Sequence, residues 1–117
     1  MNSEDLKKRT KDFALHTIQS IESLPTSKSA DILGRQLIRS STSIGANYRA
    51  ACKGRSKADF VSKITIVEEE ADESQYWLEL LIELKLGNTE VLEGLLKEAR
   101  ELTAIFTAAG KTAKGKK

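Results

Sequence analysis

Carboxylates crowd one short stretch, Glu68-Glu69-Glu70-Ala71-Asp72-Glu73, and on a helix those at i, i+3 and i+4 share a face. Such groups can bridge metal pairs, but helical di-metal centres also draw Glu-x-x-His pairs from two helices. This chain has one histidine, His16. A metal centre is therefore not expected, and the acidic run reads as a solvated face or an ion-paired seam. A second candidate is the hydroxyl-rich run Ser40-Ser41-Thr42-Ser43-Ile44-Gly45-Ala46-Asn47. It holds no His or Cys that could activate a serine. Its small side chains suit close helix approach, with hydroxyls bonding back to the carbonyl four residues earlier. Cys52 and His16 read as packing residues. Without a nucleophile–base pair, a phosphate-binding loop or a metal set, neither an enzyme nor a cofactor is expected.

Cations are the remaining chemistry. Arg49, Lys53, Arg55, Lys57 and Lys63 cluster around Gly54, Lys7, Lys8, Arg9 and Lys11 open the chain, and four lysines close it. The net charge of +2 hides a strong imbalance: residues 1–63 carry 12 Lys/Arg against 6 Asp/Glu, residues 64–110 carry 3 against 11. Clustered cations are the footprint of phosphate binding.

These groups must be positioned by helices. Apolar residues recur at helical spacing in four segments. The first runs from about Glu4 to Leu24, through Leu6, Phe13, Thr17 and Ile21, and stops at Pro25. Thr26, Ser27 and Ser29 offer caps for the second, about Ala30 to Cys52, with Leu33, Leu37, Ile44 and Tyr48. Gly54 breaks it, and Ser56 with Asp59 caps a third from Lys57 to Leu86. Gly87-Asn88 ends that helix, and Thr89 caps a fourth carrying Leu92, Leu95, Ala99, Leu102 and Phe106. The expected fold is all-α: one antiparallel up-and-down four-helix bundle over residues 1–109, because such short breaks make consecutive helices antiparallel neighbours. Residues 110–117, GKTAKGKK, lack an apolar face and read as a disordered basic tail.

Three consequences follow. In a hairpin turning near Gly54, residue i meets about 109 − i, so Arg39 falls beside Glu69, Glu70 and Glu73 as a structural ion pair. The stretch 76–86 is apolar around most of its circumference, which suits a subunit interface through Tyr76, Trp77, Leu80 and Leu84. The chain start, the Gly54 turn and the C-terminal lysines share one end of an up-and-down bundle. That makes Arg49, Lys53, Arg55 and Lys57 the expected nucleic-acid contacts, supported by Lys63, Lys7, Lys8 and Arg9. With one cysteine, a charged N-terminus and no long apolar run, the expected setting is the cytoplasm, with no membrane partner.

The stretch Gln36 to Tyr48, the basic turn Gly54 to Phe60 and the run Ile66 to Leu80 together resemble the bacterial four-helix bundle proteins first noticed as reading frames within intervening sequences of large-subunit ribosomal RNA genes. The resemblance covers about residues 5 to 107. It implies a ring-like homo-oligomer, usually a pentamer. The accessory variability proteins of diversity-generating retroelements are similar bundles that bind nucleic acid and a reverse transcriptase. Family members carry a glutamate-glycine pair after the second helix's Asn-Ile-Ala, where this chain reads Tyr48-Arg49-Ala50-Ala51-Cys52. The expected function is a non-enzymatic, oligomeric bundle that binds RNA or DNA through a basic end with weak sequence specificity. The alternative is a scaffold that docks a protein partner on its apolar or acidic face.

Overall fold

The computed structural model describes residues 1–115 and places them in four helices: α1 (Ser3–Glu22), α2 (Lys28–Cys52), α3 (Lys57–Glu83) and α4 (Thr89–Gly115). Each helix packs on its neighbours in sequence, and α1 closes the square against α4, giving an antiparallel up-and-down bundle of 50 × 22 × 19 Å. The starts of α1 and α3 therefore share an end with the finishes of α2 and α4.

Side-chain caps set the helix starts. Ser27 Oγ accepts from the Ala30 amide (3.1 Å) and Ser56 Oγ from the Asp59 amide (3.0 Å). Two boundaries differ from expectation because Asn is an equally good cap. Asn2 Oδ1 accepts from the Asp5 amide (2.8 Å), starting α1 at Ser3. Asn88, not Thr89, caps α4 by accepting from the Val91 amide (3.0 Å). At the finish of α3, Lys85 adopts φ 57° and the Leu86 amide bonds back to the Leu81 carbonyl (3.0 Å). That is a Schellman closure, and it ends the helix three residues before the expected Leu86. Gly87 follows at φ 87°, where an added Cβ would lie 2.6 Å from Leu24 Cδ2. The positive φ is what favours glycine there, since the Leu24 methyl is the movable end of its side chain.

The C-terminal segment corrects the sequence reading more substantially. Residues 110–115 continue α4 instead of trailing as a tail; Lys116 and Lys117 lie outside the described residues. Two local causes account for it. Ala108, Ala109 and Ala113 are strong helix formers, and Lys111 and Lys114 favour the negative end of the helix dipole. Gly110 is also buried, close enough to α3 that a Cβ there would lie 3.6 Å from Ile64.

The core is the stripe from each helix: Phe13 of α1, Leu37, Ile44 and Tyr48 of α2, Ile64, Val67, Leu78 and Leu81 of α3, and Leu92, Leu102 and Phe106 of α4. Fully burying a side chain of this size contributes about 1.5–3 kcal/mol. Tyr48 and Phe106 meet across the middle, ring centroids 5.3 Å apart.

The hydroxyl-rich run determines how near α2 comes to its neighbours. Ser40 and Ser41 are fully buried, and Ser40 Oγ shares a 2.8 Å hydrogen bond with Ser74 Oγ of α3. Thr42 donates to the Ile38 carbonyl and Ser43 to the Arg39 carbonyl, both at 2.7 Å. Opposite α1, Gly45 sits where a Cβ would stand 3.1 Å from Thr10 Oγ1.

Gly45 and Gly94 thus make a controlled pair. Gly45→Val forces α1 and α2 apart and is expected to destabilise by about 1–3 kcal/mol. Gly94 has nothing within 4 Å of an added Cβ, so Gly94→Ala is expected to stabilise by roughly 0.5–1 kcal/mol. Urea denaturation of the two variants checks both signs.

Candidate functional site

The basic residues separate into three groups once the helices are packed. The first lies in a groove between α1 and α2, near the end where the Gly54 turn sits. The groove has a volume of about 640 Å³; Lys7, Lys8 and Lys11 form its α1 wall, Arg49 and Lys53 its α2 wall. Its floor is Thr42, Gly45, Ala46, Thr10 and Ala14, and Glu4 stands at its rim. The same small residues that let α1 approach α2 keep this floor open. Lys7 and Lys11, like Arg49 and Lys53, are four residues apart, so each wall carries cations about one helical turn from each other.

The pairing state of these cations matters more than their number. Among the described residues, Lys11, Arg49 and Lys53 make no ion pair, and Arg49 and Lys53 are exposed. Lys7 and Lys8 hold only neighbours on their own helix, Glu4 at 3.2 Å and Asp12 at 2.8 Å. The Asp12 carboxylate holds the Lys8 ammonium above its ordinary pKa, and Lys8 in turn lowers that of Asp12. Exposed pairs of this kind contribute about 0–1 kcal/mol, so a stronger anion can displace them.

Arg9, expected from the sequence to support anion binding, belongs to a second group and is engaged within the bundle. Its guanidinium turns to α4, gripping Glu98 with Nε (2.6 Å) and Nη2 (2.7 Å) and reaching Glu101 at 2.7 Å. The hydrogen bonds it donates to Glu98 raise its pKa further above the usual arginine range. The two carboxylates occupy Nε and Nη2 and leave Nη1 with only a 4.0 Å contact to Met1 Sδ, so most of the fork's donors are committed to α4. Arg9 is a strut across the α1–α4 seam. It and Glu98 line a groove of about 550 Å³ along that seam, together with Lys8, Phe13, Val91, Gly94 and Leu95, and His16 is exposed at this groove instead of packed.

The third group surrounds the start of α3. Lys63 stands 3.9 Å from Asp59, Arg55 is exposed in the turn, and Lys57 has a bonding partner of its own. Lys111 and Lys114 join this side because Gly110 docks on Ile64. They do not line the α1–α2 groove. Lys11, counted among the opening cations but not among the expected contacts, is a groove residue; its position four residues after Lys7 was the available signal.

The acidic run is divided around α3 and forms no single cluster. Arg39 is bonded by Glu70 (3.2 Å to each oxygen) and by Glu73. Glu68 accepts from Thr107 of α4 (2.7 Å), while Glu69 is exposed and outside the Arg39 pair. Arg35 pairs instead with Asp31 of its own helix, at 2.7 Å. Farther along α3, Tyr76 is 54% and Leu84 55% exposed. Leu80 is half-buried, and Trp77 packs partly on the core while its indole donates to Glu73 (3.2 Å). An edge-on contact joins Tyr76 to Trp77 at 5.1 Å.

Arg9 and Arg49 should consequently behave differently. Arg9→Ala is expected to cost about 1–3 kcal/mol of stability, because it breaks a part-buried charged fork. Arg49→Ala is expected to stay within about 0.5 kcal/mol of the parent. Thermal melts at matched ionic strength check the contrast.

No helix among the described residues is long and apolar enough to cross a membrane. None of the curated proteins matches the chain. Among solved structures, the crystal structure of a protein with unknown function from the S23 ribosomal protein family of Bacteroides thetaiotaomicron is similar, with a TM-score of 0.86 and 32% identity over 95% of this chain and 99% of that one. A family model described as 23S rRNA-intervening sequence protein matches residues 3–108. The chain belongs to the 23S rRNA-intervening sequence protein family.

Proposed function

We propose that this protein is a non-enzymatic, cytoplasmic bundle that binds nucleic acid through the α1–α2 groove, contacting the phosphate backbone with little sequence preference. The observation that carries the reading is the groove itself: cations on two facing helical walls, those of Arg49, Lys53 and Lys11 without ion pairs among the described residues, over a floor of small side chains. Charge without base-reading groups positions a nucleic acid but does not select its sequence. The family's description refers to 23S rRNA and that of the Bacteroides protein to a ribosomal protein family, which favours RNA as the natural ligand.

The second part of the reading is self-assembly. Tyr76 and Leu84 leave large apolar surface exposed beside half-buried Leu80 and Trp77, and a contiguous patch of that kind marks an interaction surface. A second copy of the chain is its proposed occupant, and the family resemblance suggests five subunits. Docking of a different protein on this patch is the competing reading.

The groove reading is tested by titrating a fluorescent structured RNA. With about three to five phosphate contacts, affinity is expected to fall roughly 50- to 500-fold between 50 and 200 mM salt. Reversing Lys11, Arg49 and Lys53 to Glu should abolish binding at both concentrations while the melting temperature stays near the parent's. Affinity that ignores the reversal, or no binding at the lower salt, sinks it. Assembly is tested by light scattering. The parent is expected at a multiple of 12.9 kDa, and Tyr76→Glu combined with Leu84→Glu is expected to return it to one chain. A parent that is monomeric at tens of micromolar would refute the assembly reading.

A further inference from the structure

The groove's chemistry also bears on which form of nucleic acid it takes, an inference that rests on the reading above. We infer that the ligand is a double-helical backbone, not a single strand.

Single-strand sites combine cations with aromatic faces on which unpaired bases stack, at about 1–3 kcal/mol per base. The chain has six aromatic residues, and none of them lines the groove. Phe13, Tyr48 and Phe106 are buried in the core. Phe60 and Trp77 are packed against it from α3, and the exposed Tyr76 lies on α3 as well. An unpaired base entering the groove would meet Thr42, Gly45 and Ala46, which offer it no stacking surface.

The walls point the same way. Lys7 and Lys11 on α1 face Arg49 and Lys53 on α2, and two packed helices stand about 8–10 Å apart. A sugar-phosphate strand laid between these rows presents its phosphates to the protein and its bases to solvent. For a single strand that leaves every base without a stacking partner on the protein. In a duplex the bases are already paired and stacked, so nothing is lost. Both walls belong to rigid helices joined by the Gly45–Thr10 contact, so neither can fold over a flexible strand.

With stacking absent, binding rests on charge density. A duplex carries one charge per about 1.7 Å of axis, and it releases more counterions per neutralised phosphate than a single strand, about 0.9 against 0.7. A site made of cations alone therefore favours the duplex. RNA and DNA duplexes share this chemistry, and the test separates them.

The experiment measures binding of the full chain to duplexes of about 20 base pairs, one of RNA and one of DNA, and to a pyrimidine-only single strand of each with the same number of phosphates. The expected result is at least about fivefold tighter binding to one or both duplexes, with salt slopes in a ratio near 0.9 to 0.7. Trp77 fluorescence should stay unchanged on saturation. A tighter RNA duplex would identify A-form geometry as the preferred target, and equal duplexes would identify the shared backbone. A single strand that binds as tightly as both duplexes, or that quenches Trp77, overturns the inference while leaving a phosphate-binding groove in place. Binding to none of the four overturns both the inference and the reading beneath it.

Discussion

The bundle depends on how near α2 can come to α1 and α3. Two helices joined by bulky side chains stand apart, and the space between them fills with apolar atoms. Here Gly45 lets Thr10 of α1 close in, and Ser40 meets Ser74 of α3 hydroxyl to hydroxyl. Hydroxyls in a core are costly unless bonded; Ser40 also bonds the Leu37 carbonyl and Ser41 the Ile38 carbonyl, both on their own helix. Small size and satisfied polarity together allow a tight seam. The groove's floor is the outer side of that seam, so packing and candidate function draw on one set of residues.

Charge in this protein divides into anions and cations that hold the frame and cations that do not. Arg9 and Arg39 each grip two carboxylates of another helix, Glu98 and Glu101 of α4 and Glu70 and Glu73 of α3. Such pairs set register more than they add stability, since desolvation offsets much of their attraction. Among the described residues, the groove cations hold no ion-pair partner on another helix. Their availability is the property a polyanion would use, and a count of lysines and arginines along the chain cannot show it.

α3 serves several purposes on different sides. One side is core, through Ile64, Val67, Leu78 and Leu81; flanking sides send Glu70 to α2 and Glu68 to α4. What remains outward is mixed: Glu69 exposed near the middle, Tyr76 and Leu84 toward the far end. The apolar far end and the basic groove lie at different places in the bundle. One chain can therefore present one surface to copies of itself and another to a polyanion.

The sequence by itself determined the helix count, the direction of each helix and the core stripe, because these follow from periodicity, caps and short breaks that act within a few residues. It also placed Arg39 beside Glu70 and Glu73, since a hairpin's register is a matter of counting from its turn, but it left open that Glu69 would turn away. Tertiary structure alone decided which cations are engaged. Arg9 and Lys11 stand two residues apart, yet about 200° of helical rotation turns one to α4 and leaves the other on the α1–α2 groove wall. It likewise decided that residues 110–115 are helical, because Gly110 is held by Ile64 of another helix. A side chain's partner on a distant segment depends on azimuth and spacing across the whole bundle, and no local stretch of residues records either.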